Sequence, residues 1–475
     1  MKTCPVLLAL LAPVALLAQG VDRAHPPTLP PPPTLRVPVA QTATLPNGLE
    51  LVVVEKHEVP VVDVQLTVGA GSVRDPDSVP GLATFTAAML QQGAGTRGAL
   101  DIADQIAYLG ADFSTSATYD YADVSLHVPK RQLADALDLM ADVVLRPTFP
   151  DSEIARERQQ RRTNILQYRD NPVTQATLAF SAIVYGMQHP YGRPLNGTAA
   201  STELLSAARV RAFYGQYYRP NNARLLIVGD VTLAEARRMI GARFGAWQRG
   251  AIPPLPAATP PAPVARAIYL VDKPGAAQSV IRIGQVGIAR SSADYAGVQV
   301  LNTLLGGSFT SRLNQNLRET HAFTYGAGSA FAARRLAGPF IAQASVVTAK
   351  TDSSLIEFMR ELRRIREEPV PADELAKAKA YITLGLPGDF ETTAGTSGEF
   401  LDLVVNDLPL TWFAGYIRAV NAVTAADVQR LAQQYIDVDH LDIVVVGDRS
   451  QIEAGLRAVN EGPIELRDLW GAPVQ

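Results

Sequence analysis

The chain repeats itself around a proline-rich midpoint. Arg224-Leu-Leu-Ile-Val-Gly-Asp230 matches Asp442-Ile-Val-Val-Val-Gly-Asp448, and upstream Val210…Tyr217 matches Val428…Tyr435. Gly229 and Gly447, Tyr217 and Tyr435, and Val210 and Val428 are each 218 residues apart. One offset shared by separate landmarks, with no gap, marks a duplicated unit and restricts the fold to two copies of one architecture. Each copy reads as an amphipathic helix ending near the Tyr, a short polar turn, an apolar strand, a Gly-Asp turn and another helix. Between the copies, Ile252–Val264 (IPPLPAATPPAPV) reads as an interdomain linker. With 475 residues the chain is too long for one hydrophobic core at roughly 150 residues per domain.

The first half supplies the local pattern. Asn47-Gly48 is a turn signal before an apolar strand over Leu51–Val54, and Val61–Ala70 is strand-like. Ala111–Thr118 and Asp123–Val128 read as a strand pair around Tyr119–Tyr121. The apolar spacing predicts helices over Leu82–Gln91, Ala99–Leu109 and Gln132–Leu145. A long polar helix, Glu153–Arg169, is expected to start from Pro150-Asp151-Ser152 with Asp or Ser as its cap. Helices mixed with mostly antiparallel strands imply an α+β fold of two homologous α/β sandwich domains, each a sheet with helices packed on it. The expected division is 1–18 signal peptide, 19–42 proline-rich leader, 43–250 first domain, 251–266 linker and 267–475 second domain.

The amino-terminal reading rests on Lys2, the apolar run Val6–Ala18 and Gln19-Gly20. The run is too short to span a bilayer and fits the apolar core of a secretory signal, which implies export, with the periplasm as destination. Cys4, the only cysteine, precedes that run, so the mature chain would carry neither disulfides nor thiolate ligands. A net charge of −3 gives no reason to expect nucleic acid or an anionic membrane surface as partner. No later stretch reads as a membrane span.

Ordered landmarks carry a family resemblance from about Thr44 onward. They are Leu45-Pro-Asn-Gly-Leu49, Gly69-Ala-Gly-Ser-Val-Arg74, Gly81-Leu-Ala, Leu109-Gly-Ala111, Pro147-Thr-Phe-Pro150 and Glu153…Glu157. His189-Pro-Tyr-Gly192, Tyr218-Arg-Pro-Asn-Asn222 and Val228-Gly-Asp230 follow, with Trp247 closing the half. In this order the chain resembles the pitrilysin/insulinase zinc metallopeptidases, in their half-length, mitochondrial-processing-peptidase-like form. Members of this type hold zinc with two His at i and i+4 of a helix, with a general-base Glu at i+3. That spacing puts both imidazoles on one helical face.

Carried over position by position, the first His falls on Thr84, the Glu on Ala87 and the second His on Ala88. The third ligand, a Glu seven residues after the acidic position held by Glu157, falls on Asn164. A methyl group offers a metal no lone pair, and a neutral hydroxyl is a poor zinc ligand. The histidines are His25, His57, His127, His189, His321 and His440, and none forms an i, i+4 pair. No zinc is therefore expected on this chain.

The second half departs less from the resemblance. Gly306-Gly307-Ser308 looks like the family's glycine turn, and Arg318 and Tyr325, seven residues apart, look like its Arg/Tyr pair. The resemblance implies that Arg318 holds a substrate carbonyl and that the Tyr325 hydroxyl donates to a developing oxyanion. The alternative is a structural ion pair for Arg318 and simple packing for Tyr325. Two-subunit members divide the labour, one chain carrying zinc and the other the pair. The expectation is a non-catalytic, substrate-binding subunit of a heterodimer with a zinc-bearing HxxEH paralogue, acting on peptides and inactive alone. A structural scaffold subunit and a peptide-binding module with no role in hydrolysis stand as alternatives.

Overall fold

The computed structural model describes residues 35–255 and 257–474. The expected signal peptide and residues 19–34 of the leader, with Cys4 and His25, lie outside the described residues. The first half runs β1 (Ala40–Thr44), β2 (Glu50–Glu55), β3 (Val61–Val68), α1 (Leu82–Met89), α2 (Ala99–Leu109), β4 (Asp112–Ala117) and β5 (Ala122–Pro129). It continues through α3 (Leu133–Leu145), α4 (Asp151–Gln167), α5 (Pro172–Tyr185), α6 (Ala207–Tyr217), β6 (Ala223–Gly229) and α7 (Leu233–Phe244). The second half runs β7 (Ala267–Asp272), β8 (Gln278–Val286), α8 (Tyr295–Leu305), a π-helical turn Gln315–Thr320, β9 (Thr324–Phe331) and β10 (Pro339–Val347). Then follow α9 (Thr351–Glu367), α10 (Ala372–Asp389), α11 (Thr393–Val405), α12 (Phe413–Ala422), α13 (Ala425–Tyr435), β11 (Asp442–Gly447), α14 (Arg449–Val459) and β12 (Ile464–Arg467).

The repeat is a repeat of topology. The first sheet has the order β1-β2-β6-β3-β5-β4, and the second β12-β7-β11-β8-β10-β9. Five positions correspond one to one, including the single parallel pairing of each central region, β2 with β6 and β7 with β11. The outer strand differs. β1 precedes the first unit and pairs antiparallel with β2, whereas β12 follows the second unit and pairs parallel with β7. Gly229 shows why the Gly-Asp turn needs glycine: at φ +144° a Cβ there would meet the Val61 carbonyl oxygen at 2.3 Å.

Strand composition explains which faces are covered. β5 alternates strictly, with Ala122, Val124, Leu126 and Val128 buried toward the helices of its own half. β2 and β6 are apolar on both faces, as strands covered from two sides must be. Leu51 and Val53 join the core of their own half, while Val52, Val54, Leu226 and Val228 join the core of the second half. The element that meets them is α11, which packs on β6 and β3. The reciprocal element is α5. Pro172 opens it and the Asn171 side chain caps it. Its stripe of Ala176, Ala179, Phe180, Val184 and Tyr185 packs on Tyr269, Val271, Val280, Val444 and Val446 of the second sheet. Each half therefore lends one helix to the other's sheet, and residues Leu35–Gln475 form one compact unit.

The hairpin tips add polar ties. The Arg334 guanidinium lies over Tyr119 at 4.4 Å and Tyr191 at 4.8 Å. The Tyr185 hydroxyl donates to the Ala337 carbonyl at 2.9 Å. Asp407 lies between Arg224 of the first half and Arg335 of the second.

The structure corrects the expected start of the polar helix. Pro150 is its N-cap, without a side-chain cap bond, and Asp151 lies inside the first turn. There its charge faces the helix dipole instead of closing the N-terminus by hydrogen bonding. Among the described residues no helix is long and apolar enough to cross a membrane.

Candidate functional site

The first site lies where α4 crosses α1. Helix α1 starts at Gly81, φ +91°, and a Cβ there would meet the Asn196 carbonyl carbon at 2.6 Å. The Asp75 carboxylate accepts from the Gly81 N–H at 2.8 Å and the Ala83 N–H at 2.7 Å, which satisfies donors the helix cannot pair internally. Burial pushes the Asp75 carboxyl up to about 7, against those two donors and the nearby Arg193 and Arg161.

Thr84 is buried, and its hydroxyl donates to the Gly81 carbonyl at 3.1 Å. The same oxygen accepts from Arg161 Nη1 at 3.0 Å. Arg161 comes from α4, is itself buried, donates from Nη1 to the Gly81 carbonyl at 2.9 Å, and stacks over Phe85 at 5.0 Å. Ala87 is fully buried and Ala88 half-buried. Asn164 is exposed, and its Oδ1 accepts from Gln160 at 2.9 Å. The helices bring Thr84 and Arg161 together and leave Asn164 in solvent.

The family's zinc does not fit this arrangement. The four positions offer a hydroxyl, two methyl groups and an amide. The side chain that touches Thr84 is a cation, which would repel a second cation. Among the described residues, no group of three or more His, Cys, Asp or Glu is placed to hold a metal ion. His189 is buried and stacked on Tyr185 at 5.0 Å, and its Nδ1 accepts from the Tyr191 N–H at 3.0 Å. Burial lowers its pKa, so it serves as a neutral packing group. The sequence analysis missed Arg161. Its signal was its place on the predicted helix, four residues after Glu157 and three before Asn164, on the same face.

The second site lies at the irregular end of the second sheet. Gly306 and Gly307 close the turn after α8. A Cβ on Gly306 would meet the Ser329 nitrogen at 2.2 Å, and one on Gly307 the Asn302 amide at 2.5 Å. Glycine thus lets this turn lie directly on β9. The Ser308 hydroxyl donates to the Thr303 carbonyl at 3.1 Å, so Ser308 secures the turn.

Arg318 sits on the π-helical Gln315–Thr320, a local form frequent at functional sites. Tyr325 lies at a register shift between Thr324 and Ala327, where the β9 ladder is interrupted. Both side chains are accessible. The Arg318 guanidinium covers the exposed Phe309 ring at 4.5 Å, with Glu319 at 3.5 Å, and Tyr325 is 92% exposed. Neither is locked into a buried structural network.

A duplicated α+β unit with an accessible Arg/Tyr surface and a degenerate helical metal site defines a peptidase-like class. The family model described as "Insulinase (Peptidase family M16)" matches residues 51–199, and that described as "Peptidase M16 inactive domain" matches residues 205–382. The chain belongs to this M16 insulinase family. It is 30% identical to an uncharacterized zinc protease of Mycobacterium leprae over 60% of this chain, and it spans 64% of that relative's length. It is 22% identical to an uncharacterized zinc protease of Bacillus subtilis over 84% of this chain and 96% of that one. A solved M16 inactive-domain structure from Pseudomonas fluorescens is 28% identical and superposes with a TM-score of 0.80, covering 86% of this chain and 98% of that one.

Proposed function

We propose that this chain is an exported, non-catalytic, substrate-binding subunit of an M16-type peptidase. It would act in the periplasm on peptides, beside a zinc-bearing paralogue with an HxxEH helix. The observation that carries the reading is a contrast within one chain. The helical metal site lacks its donors and holds Arg161, while Arg318 is half-exposed and Tyr325 fully exposed on irregular backbone. A guanidinium can hold a peptide carbonyl through two N–H groups, and a phenol can donate to an oxygen that gains charge. Accessible, weakly engaged side chains suit groups that must meet a substrate brought by another subunit.

The test is reconstitution. The purified chain is mixed with its HxxEH paralogue, and cleavage of a quenched fluorescent peptide is followed. Activity is expected from the mixture and not from this chain alone. Arg318→Ala or Tyr325→Phe should lower it by roughly 10²–10³ without preventing association. Full activity with both variants would show that the pair has no part in hydrolysis. A stable complex without peptidase activity would point to a scaffold role instead.

A further inference from the structure

We propose that Asn314 is a positioning residue that holds the supports of Arg318 and Tyr325 together as one unit. The role rests on the substrate-contacting part proposed above for that pair. Asn314 ends the short helical turn Arg312–Asn314, directly before the π-helical turn that carries Arg318. It is 4% exposed, and its amide joins two segments. Its Nδ2 donates to the Phe309 carbonyl at 2.6 Å, and its Oδ1 accepts from the Ala327 N–H at 3.3 Å. One end meets an acceptor and the other a donor, so a single orientation of the amide satisfies both.

Those two segments present the pair. Phe309 lies beneath the Arg318 guanidinium at 4.5 Å. The ring is 62% exposed, so burial does little to fix it, and the bond to Asn314 ties its backbone. On β9, Thr324 pairs with Val346 and Ala327 with Ala344, so Tyr325 and Gly326 together face Ser345. The ladder resumes at Ala327, and Asn314 takes its N–H. Thr324 closes the other side of the bulge. Its hydroxyl donates to the Ser345 carbonyl at 2.7 Å and accepts from the Gly326 N–H at 3.1 Å.

The Tyr325 side chain lies in solvent, so packing cannot aim it, and the backbone beneath must. A displacement of about 1 Å at a reacting group can cost about 10²-fold in rate. A pair set on irregular, accessible backbone therefore depends on a buried anchor, and Asn314 is bonded to both supports. An asparagine that merely closed a turn would stabilise the fold without acting through Arg318 and Tyr325.

The test separates KM from kcat in the complex reconstituted with the HxxEH paralogue. Phe309→Ala, from an exposed position, removes the ring beneath Arg318 and should raise KM about two- to fivefold with kcat kept. Thr324→Val loosens the bulge and should lower kcat about tenfold with KM kept. Asn314→Ala should do both. Paired with Arg318→Ala it should raise KM no further, and paired with Tyr325→Phe it should lower kcat no further. In the chain alone, Asn314→Ala should speed exchange of the Ala327 amide hydrogen by at least about tenfold, read by mass spectrometry. A fall in kcat with KM unchanged, equal losses in the parent and in both paired backgrounds, or unchanged Ala327 exchange would make Asn314 purely structural and overturn the proposal. If Asn314→Ala does not fold, Phe309→Ala and Thr324→Val decide. The expected split supports the proposal, and parental KM and kcat in both overturn it. Full activity of Arg318→Ala and Tyr325→Phe is a distinct failure, visible without any Asn314 variant. It would remove the pair's role and the role of Asn314 with it.

Discussion

The two helix crossings built by the duplication have diverged in opposite ways. At α1 and α4 the crossing is closed: Arg161 reaches the Thr84 hydroxyl and the Gly81 carbonyl, and its guanidinium covers Phe85. At α8 and α10 the helices pack directly on each other, and a cleft lined by Arg312, Asn316 and Glu361 lies beside them. Both sit on sheets with the same central strand order. The sheet is held by long-range strand pairing and by the helix each half lends the other. The side chains at the crossings differ while that frame is kept. A repeat can therefore keep its architecture while the side chains at corresponding crossings differ.

The sharpest way to break this contrast is to rebuild the closed crossing. Thr84→His, Ala88→His and Asn164→Glu together restore three zinc donors at the family spacing. With Arg161 in place, zinc should bind weakly. Adding Arg161→Leu should tighten binding by about 10²-fold, read by competition with a chromogenic chelator, because the resident cation is gone. Equal affinity with and without Arg161 would remove the electrostatic part of the argument.

Arg161→Leu alone should destabilise the chain by about 2–3 kcal/mol in urea unfolding. It removes one of the donors to the Gly81 carbonyl, the donor to the Thr84 hydroxyl, and the cation over Phe85. A smaller value would mean that water replaces the guanidinium.

The next effect depends on pH. Asp123, on β5, has its carboxyl pushed up to about 7 by burial alone, and its Oδ1 lacks a partner. Between about pH 4 and 7 the native state holds this proton and the unfolded chain does not. Stability from this group therefore falls as pH rises through that window, and the full penalty stands above it. Asp123→Asn should be more stable than the parent by about 2 kcal/mol at pH 8 and close to it near pH 4. A constant difference across that range would show that the effect is steric.

The smallest expected effect concerns the ties between halves. Arg334→Ala removes one cation held over two rings and should cost about 1 kcal/mol, seen as a slight fall in melting temperature. A loss several times larger would mean that the hairpin tips, rather than α5 and α11, hold the halves together.

Much of the frame was legible in the chain. Strict alternation in Asp123–Val128 marks a strand with one covered face, and the 218-residue offset marks the duplication. The helix over Leu82–Gln91 reads from its apolar spacing, and it ends at Met89 before a 3-10 turn. The cap of α4 was misread because Asp151 and Ser152 are both good capping residues. Sequence cannot show that Pro150 had already taken the boundary. Tyr325 and Arg318 were found through the family resemblance, but the π-helical turn and the strand interruption beneath them have no periodic signature.

The amino-acid order by itself determined the repeat, the strand and helix types, and the absence of imidazole and carboxylate at Thr84, Ala87, Ala88 and Asn164. Those are local properties, set by side-chain periodicity and by the chemistry each residue carries. Only the tertiary structure decided that α5 covers the second sheet and α11 the first, that Arg161 fills one crossing, and that a cleft lies beside the other. These depend on contacts between residues far apart in the chain. Their free energy comes from which surfaces meet once the backbone has folded, and no window of neighbouring residues contains that information.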